Sequence, residues 1–292
     1  MAEHFKRGKY RDEDRIIGPS LDAIERSYDV LLQLSDHDSA KFFRLEDHQK
    51  NVGSGDVKEA CLYLFSDVYN WLKVFWWTNI FKMRQLTEGL AHSYNTNNFL
   101  TWLVLARSSL EYAAVNYYFV KKIKQFDICG PNFKLSAVKG VEDLLLQYTY
   151  GSRFNWKDLF EGNRDSLKEK FTPAGSSIAV NVMTAIEHLA KRDERYRDIK
   201  TAYDMLSDFA HPNMASHASV IEMPIGGTDM HECHMAVDPG ALRGEFIMVV
   251  SLPWVSTSLG TTVELLIEIG PLLETWLDYL EGGQHVSLDF TQ

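Results

Sequence analysis

Cysteine is scarce in this chain, which has only three among its 292 residues: Cys61, Cys129 and Cys233. They lie far apart and form no CxxC pair, so the sequence offers neither a disulfide framework nor a thiolate zinc cluster. We therefore expect a protein of the reducing cytoplasm.

Several motifs that carry common chemistry are also missing. The sequence has no GxxxxGK[ST], no HExxH, no GxSxG and no GxGxxG after a strand. These absences disfavour ATPase, zinc-protease and hydrolase functions, and we expect no metal and no cofactor.

An excess of positive charge is lacking as well. Thirty Lys and Arg face forty Asp and Glu, giving a net charge of −10. This excludes nucleic acid or an anionic membrane as a partner of the whole surface, but it allows a local basic site.

The longest apolar stretches, 68–81 and 99–120, are interrupted by Lys73, Arg107 and Glu111, whose charges are costly in hydrocarbon. We therefore predict no membrane span.

The chain divides at the sequence level into an arm and a folded region. Residues 1–19 alternate in charge and lack an apolar run, which predicts a solvated arm followed by one helical domain over 20–292. Hydrophobic residues make up 45% of the chain. Their three-to-four spacing predicts helices over 20–32, 57–92, 99–125, 135–148, 155–170, 177–191 and 194–210, and again beyond 245.

The fold class that follows is all-α. A short polar loop joins the helices at 57–92 and 99–125, so these two long central helices must lie antiparallel. Residues 218–237 contain β-favouring residues on either side of a GGTD turn, which predicts a small β-hairpin insertion. We expect Pro253 and Pro271 to begin or kink helical segments.

Arg107 and Glu111 stand four apart on the most apolar long helix, so they share one face. One interpretation is an internal ion pair that fixes the register of the helices. The other is that Glu111 orients Arg107 towards a phosphate or carboxylate ligand, which the planar guanidinium fork suits.

A second group of polar residues surrounds His211. The helical pattern over 194–210 puts His211 at a carboxyl end, which favours a protonated ring and a role as acid or phosphate contact. A purely structural cap of the last carbonyls is equally compatible with the sequence, since Asp204, Ser207 and Asp208 offer nearby partners. The apolar face of this helix includes Tyr203.

Three further features favour structural explanations. His231, Cys233 and His234, with His217 and Asp229 nearby, suit a surface hairpin better than a metal site, because a strand turns His234 away from the other two. The aromatic run over 68–81 is typical of a core helix. The charged run over 190–200 reads as a solvated face, with phosphate steering by its arginines as the second interpretation.

Two segments resemble a known group. ARSSLEYAAVNYYF carries Arg-Ser-x-x-Glu, and YDMLSDFAHPN carries Leu-Ser-x-x-x-His-Pro. Together they resemble bacterial helical proteins similar to the HEPN superfamily, over roughly 99–217. The resemblance implies an up-and-down helical bundle that forms a homodimer, and in active members a metal-independent ribonuclease of toxin–antitoxin or phage-defence systems.

The chain departs from the nuclease signature of that superfamily, which has an Arg four to six residues before the His. Asp204, Met205, Leu206 and their neighbours stand there instead. Arg107 would then supply the cation, while the acids beside His211 repel an RNA phosphate.

Two functions remain open. In the first, Arg107, Glu111 and His211 are catalytic residues acting on RNA, and the substrate-binding residues are Asp204, Ser207 and Asn213. In the second, Arg107, Glu111, Asp204 and His211 form a structural polar network in a non-catalytic subunit that binds a protein partner. A catalytic His211 must be exposed beside Arg107, whereas a structural one must be buried and fully hydrogen-bonded.

Overall fold

The computed structural model describes residues 4–7, 17–35, 57–126, 128, 134–149, 180–211, 221–222, 234–235 and 245–281. The described residues contain seven α-helices and one turn of 3₁₀ helix at Glu194–Tyr196. The α-helices are α1 Gly18–Ser35, α2 Val57–Asn95, α3 Phe99–Ile123, α4 Leu135–Thr149, α5 Val182–Ala190, α6 Ile199–Ala210 and α7 Glu245–Glu281. The all-α helical bundle is confirmed.

The helices α2 and α3 form the predicted antiparallel pair. Asn97, with a left-handed φ of 58°, turns the chain between them, and Asn98 caps α3 by accepting a hydrogen bond from the backbone N–H of Thr101 at 3.1 Å. Near this turn a Cβ on Gly89 would lie 2.9 Å from Cδ1 of Leu105. Glycine therefore allows the two helices to approach closely.

The chain folds into two compact units. Unit 1 contains α1, α2 from Ile80, α3 to Tyr117, α5 from Ala185, α6 and α7 to Glu264. Its core includes Trp102, whose indole N–H donates to Oγ of Ser251 at 2.8 Å. The prediction of one domain over 20–292 stays a prediction.

Unit 2 contains α2 to Asn79, α3 from Tyr118, α4 and α7 from Leu265. Aromatic rings fill its core. Phe75 stacks on Phe119 with centroids 4.3 Å apart, and Tyr148 meets the edge of both rings. The aromatic run over 68–81 is thus partly core, as predicted, although Val74, Trp77 and Phe81 are exposed.

The solvated-arm prediction does not hold for Phe5, which is completely buried. Its ring meets the edge of Tyr94 at 5.4 Å, and its backbone N–H donates to Glu25. Arg7 pairs with the same carboxylate. The ring is buried because the free energy gained by removing its apolar area from water outweighs the preference of residues 4–7 for solvent. The arm prediction also ends too late, since α1 begins at Gly18.

The predicted hairpin over 218–237 is described only at its two ends. Ile221–Glu222 (β1) pairs antiparallel with His234–Met235 (β2), Ile221 opposite Met235. The rest of 218–237 lies outside the described residues, as does the helix predicted over 155–170. The hairpin therefore stays a prediction.

The last helix is longer than expected. α7 runs unbroken through Pro253 and Pro271, both exposed. Within the described residues, this helix, from Phe246 to Glu281, is the one long and apolar enough to cross a membrane. Slightly more than half of its most apolar stretch is buried inside the protein, which is equally typical of a core helix.

Candidate functional site

Arg107 of α3 is the centre of a polar cluster in unit 1. Its Nε donates to Oε1 of Glu111 at 3.0 Å, and its Nη2 donates to the hydroxyl of Tyr203 at 3.0 Å. Its Nη1 donates to Nε2 of His211 at 2.8 Å. The guanidinium carbon also lies 5.1 Å from the centroid of the Tyr203 ring. Arg107 therefore connects α3 with both the middle and the end of α6.

Three of these residues form a closed ring of hydrogen bonds. The hydroxyl of Tyr203 accepts from Arg107 and donates to Oε1 of Glu111 at 3.1 Å. Tyr203 is only 8% exposed, whereas the side chains of Arg107 and Glu111 are 24% and 31% exposed. The ring of bonds holds the guanidinium in one orientation at the edge of the core.

The charge on Arg107 is secured by its neighbours. Burial acts to lower the pKa of Arg107, but the hydrogen bond to Tyr203 and the negative charge of Glu111 outweigh it and raise the pKa above its ordinary value. A guanidinium has five N–H groups. Three of them are committed to these partners, which leaves two without a partner among the described residues.

His211 lies at the carboxyl end of α6, as the sequence predicted, and its side chain is exposed. Its backbone N–H donates to the carbonyl of Ser207 at 3.0 Å and closes the helix. Because arginine has only donors, Nε2 of His211 must accept the bond from Arg107. This hydrogen bond therefore requires the neutral tautomer of His211 that carries its proton on Nδ1.

The remaining predicted site residues are less involved. Ser207 donates its hydroxyl proton to the carbonyl of Tyr203 at 2.8 Å. Asp204 is exposed and makes no hydrogen bond to a described residue. It is therefore not part of the polar network in which it was predicted. Asn213 lies outside the described residues.

Tyr203 is the member of the Arg107 cluster that the sequence did not predict. The helical pattern assigned it to the apolar face of α6, and its ring is indeed buried. A signal was available, however, because Tyr203 stands eight residues before His211, about two turns along the same helix. A phenol at that spacing can reach the same partner as the imidazole.

The other predicted clusters give no second site among the described residues. No group of three metal-ligating residues occurs in that part of the chain. His217, Asp229, His231 and Cys233 lie outside it. The arginines of 190–200 are paired with carboxylates, namely Arg192 with Glu264, Arg195 with Asp193 and Arg197 with Glu194. This balance of charge does not favour phosphate steering.

No known protein family, curated protein or solved structure matches this chain. Function is therefore inferred from the geometry of the Arg107 cluster and from the motif resemblance.

Proposed function

We propose that this protein is a HEPN-like, metal-independent ribonuclease of the toxin–antitoxin or phage-defence type. One observation carries the proposal: an exposed imidazole, His211, lies 2.8 Å from a partly exposed guanidinium, Arg107. A base beside a cation with unused donors is the minimum that cleavage of a phosphodiester by a neighbouring hydroxyl requires.

In the proposed reaction, a phosphate oxygen of the RNA takes over the hydrogen bond that Nη1 of Arg107 donates to His211. The lone pair on Nε2 is then available and removes the proton of the ribose 2′-hydroxyl. The 2′-oxygen bonds to phosphorus while the bond from phosphorus to the 5′-oxygen breaks. The proton passes from His211 to that oxygen, leaving a 2′,3′-cyclic phosphate and a 5′-hydroxyl.

Glu111 and Tyr203 are positioning residues in this proposal. Both accept a hydrogen bond from Arg107 and orient the planar guanidinium that must bind the phosphate. Glu111, Asp204 and Asp208 also place negative charge around the site. We therefore expect weak RNA affinity that depends on the Arg107 contacts rather than on long-range attraction. Ser207 and Asn213 are proposed to hydrogen-bond the substrate.

Incubation of the purified protein with total RNA and transfer RNA in the presence of EDTA tests the proposal. We expect cleavage products that end in a 2′,3′-cyclic phosphate, and no cleavage of DNA of the same sequence because it lacks the attacking hydroxyl. Products with a 3′-hydroxyl, or cleavage that EDTA abolishes, would contradict the proposed mechanism.

A second candidate function is a binding or assembly subunit without catalysis. The closed ring of hydrogen bonds among Arg107, Glu111 and Tyr203 favours it, because these bonds tie α3 to α6 within the protein. In that case the predicted hairpin over 218–237 would meet a protein partner. Absence of RNA cleavage, together with a large loss of stability on removal of Arg107, would favour this function.

The proposal includes a cytoplasmic homodimer that does not enter a membrane. Light scattering on the purified full chain tests the homodimer, and fractionation after expression tests the cytoplasmic location. A monomer that cleaves RNA would remove the dimer from the proposal and leave the chemistry in place.

A further inference from the structure

A cavity of about 360 Å³ opens between α3 and α4 in unit 2. This volume lies in the range of small-molecule sites. Its walls combine charged, amide, aromatic and aliphatic groups: Lys122, Asp143, Gln147, Tyr118, Phe126 and Leu144. The cavity belongs to unit 2, whereas the Arg107 cluster belongs to unit 1, so an inference about it does not depend on the proposed ribonuclease.

Two opposite charges line the cavity without neutralising each other. Lys122, from α3, has its Nζ 5.6 Å from the centroid of the Tyr118 ring, which steadies the ammonium group. Asp143, from α4, faces the same cavity. Neither side chain forms an ion pair with a described residue. Gln147 follows Asp143 by one helical turn and adds an amide with both donor and acceptor atoms.

The cavity also has an apolar wall. Leu144 is almost completely buried and forms part of its floor. Phe126 lies against the bare backbone of Gly140, where an added Cβ would be 2.3 Å from Cε1 of the ring and force the ring to move. Glycine at this position therefore lets the phenyl ring of Phe126 form one side of the cavity.

We propose that this cavity binds a small zwitterion, an α-amino acid with an apolar or aromatic side chain. Lys122 receives the carboxylate and Asp143 the ammonium group, and the amide of Gln147 on the cavity wall adds a hydrogen-bond partner. The side chain of the ligand contacts Phe126 and Leu144. A ligand with one charge would satisfy only one of the two wall charges.

Binding of three probes to the full chain tests this proposal. Calorimetry and amide chemical shifts are measured with L-phenylalanine, with phenethylamine, which lacks the carboxylate, and with 3-phenylpropanoate, which lacks the ammonium group. We expect saturable binding of L-phenylalanine at least about tenfold tighter than that of either analogue, with the shifts confined to α3, α4 and the neighbourhood of Phe126.

The variants Lys122→Gln and Asp143→Asn are each expected to weaken L-phenylalanine binding by about tenfold or more, since each removes one charge-assisted contact. Lys121→Gln is the matched control, because Lys121 is exposed and does not line the cavity. Melting temperatures confirm that all three fold. The proposal is overturned if L-phenylalanine shows no saturable binding up to about 10 mM, if an analogue binds equally well, or if Lys121→Gln has the same effect as Lys122→Gln.

Discussion

Nη1 of Arg107 lies 2.8 Å from Nε2 of His211, a contact that joins residues 104 apart in the chain. It places an exposed base against a cation that two other side chains already orient. In the proposed ribonuclease, the cation beside His211 is therefore supplied by Arg107 of another helix, α3. Substitutions can separate the structural contribution of Arg107 from its proposed catalytic contribution.

Replacement of Arg107 tests whether the cation is needed for chemistry or only for folding. Arg107→Ala removes three hydrogen bonds at a partly buried site, and we expect it to lower the free energy of unfolding by about 1–2 kcal/mol and to abolish RNA cleavage. Arg107→Lys keeps the charge without the planar fork. We expect it to recover part of the stability but little of the cleavage, because one ammonium group cannot meet the same partners. Denaturant unfolding and cleavage rates are the two measurements.

Tyr203→Phe removes the phenolic hydroxyl from the closed set of hydrogen bonds among Arg107, Glu111 and Tyr203. The substitution keeps the aromatic packing and removes one donor and one acceptor, and we expect a loss of about 1 kcal/mol of stability in urea unfolding. Tyr112→Phe is the control, since the hydroxyl of Tyr112 makes no hydrogen bond to a described residue. Equal effects of the two substitutions would show that the Tyr203 hydroxyl contributes nothing specific.

Phe5→Ala tests the packing of the amino-terminal residues. Phe5 is fully buried against Tyr94, and we expect its loss to destabilise the protein by about 2–3 kcal/mol. Phe81→Ala serves for comparison, because Phe81 is 57% exposed and should cost little. A smaller effect of Phe5→Ala than of Phe81→Ala would mean that residues 4–7 do not stabilise the fold.

The stability of unit 2 should depend on pH through Asp67. Burial raises the pKa of Asp67, and burial, followed by the charges of Asp143 and Asp67, raises the pKa of Glu142. A raised carboxyl pKa means that the folded state binds more protons than the unfolded state. The stability present below the ordinary pKa of about 4 is therefore lost as the pH rises through the folded-state pKa.

Asp67→Asn removes the ionisable carboxyl and with it this loss of stability at rising pH. We expect it to raise the melting temperature at pH 7 and to have almost no effect near pH 3, where the wild-type carboxyl is protonated in both states. Asp204→Asn, which removes a carboxylate at an exposed position, is the control. A rise in melting temperature that is the same at both pH values would show that ionisation of Asp67 is not its cause.

Much of the fold and part of the site were predictable from local sequence. Three local signals predicted the helices and the element that carries each polar side chain. They are the polar turn before Phe99, the four-residue spacing of Arg107 and Glu111, and Pro212 after His211. These signals act over a few residues, so short-range physics was enough.

The features that the sequence did not predict depend on tertiary contacts. The hydroxyl of Tyr203 completes the cluster only because α6 packs beside Arg107, and no local pattern distinguishes it from a core ring. Phe5 is buried by partners from distant segments, including Tyr94. Likewise α7 continues through Pro253 and Pro271, since packing along its length outweighs the hydrogen bonds that proline removes.

The proposed ribonuclease requires His211 to perform the chemistry beside Arg107. We therefore compare the wild type, His211→Ala and His92→Ala on total and transfer RNA with EDTA present. His92 is an exposed histidine at the end of α2 and controls for loss of an imidazole. We predict that the wild type and His92→Ala cleave RNA at the same rate, and that His211→Ala, with an unchanged melting temperature, is slower by about 100-fold or more. Equal cleavage by all three proteins, or by none of them, would contradict this role of His211.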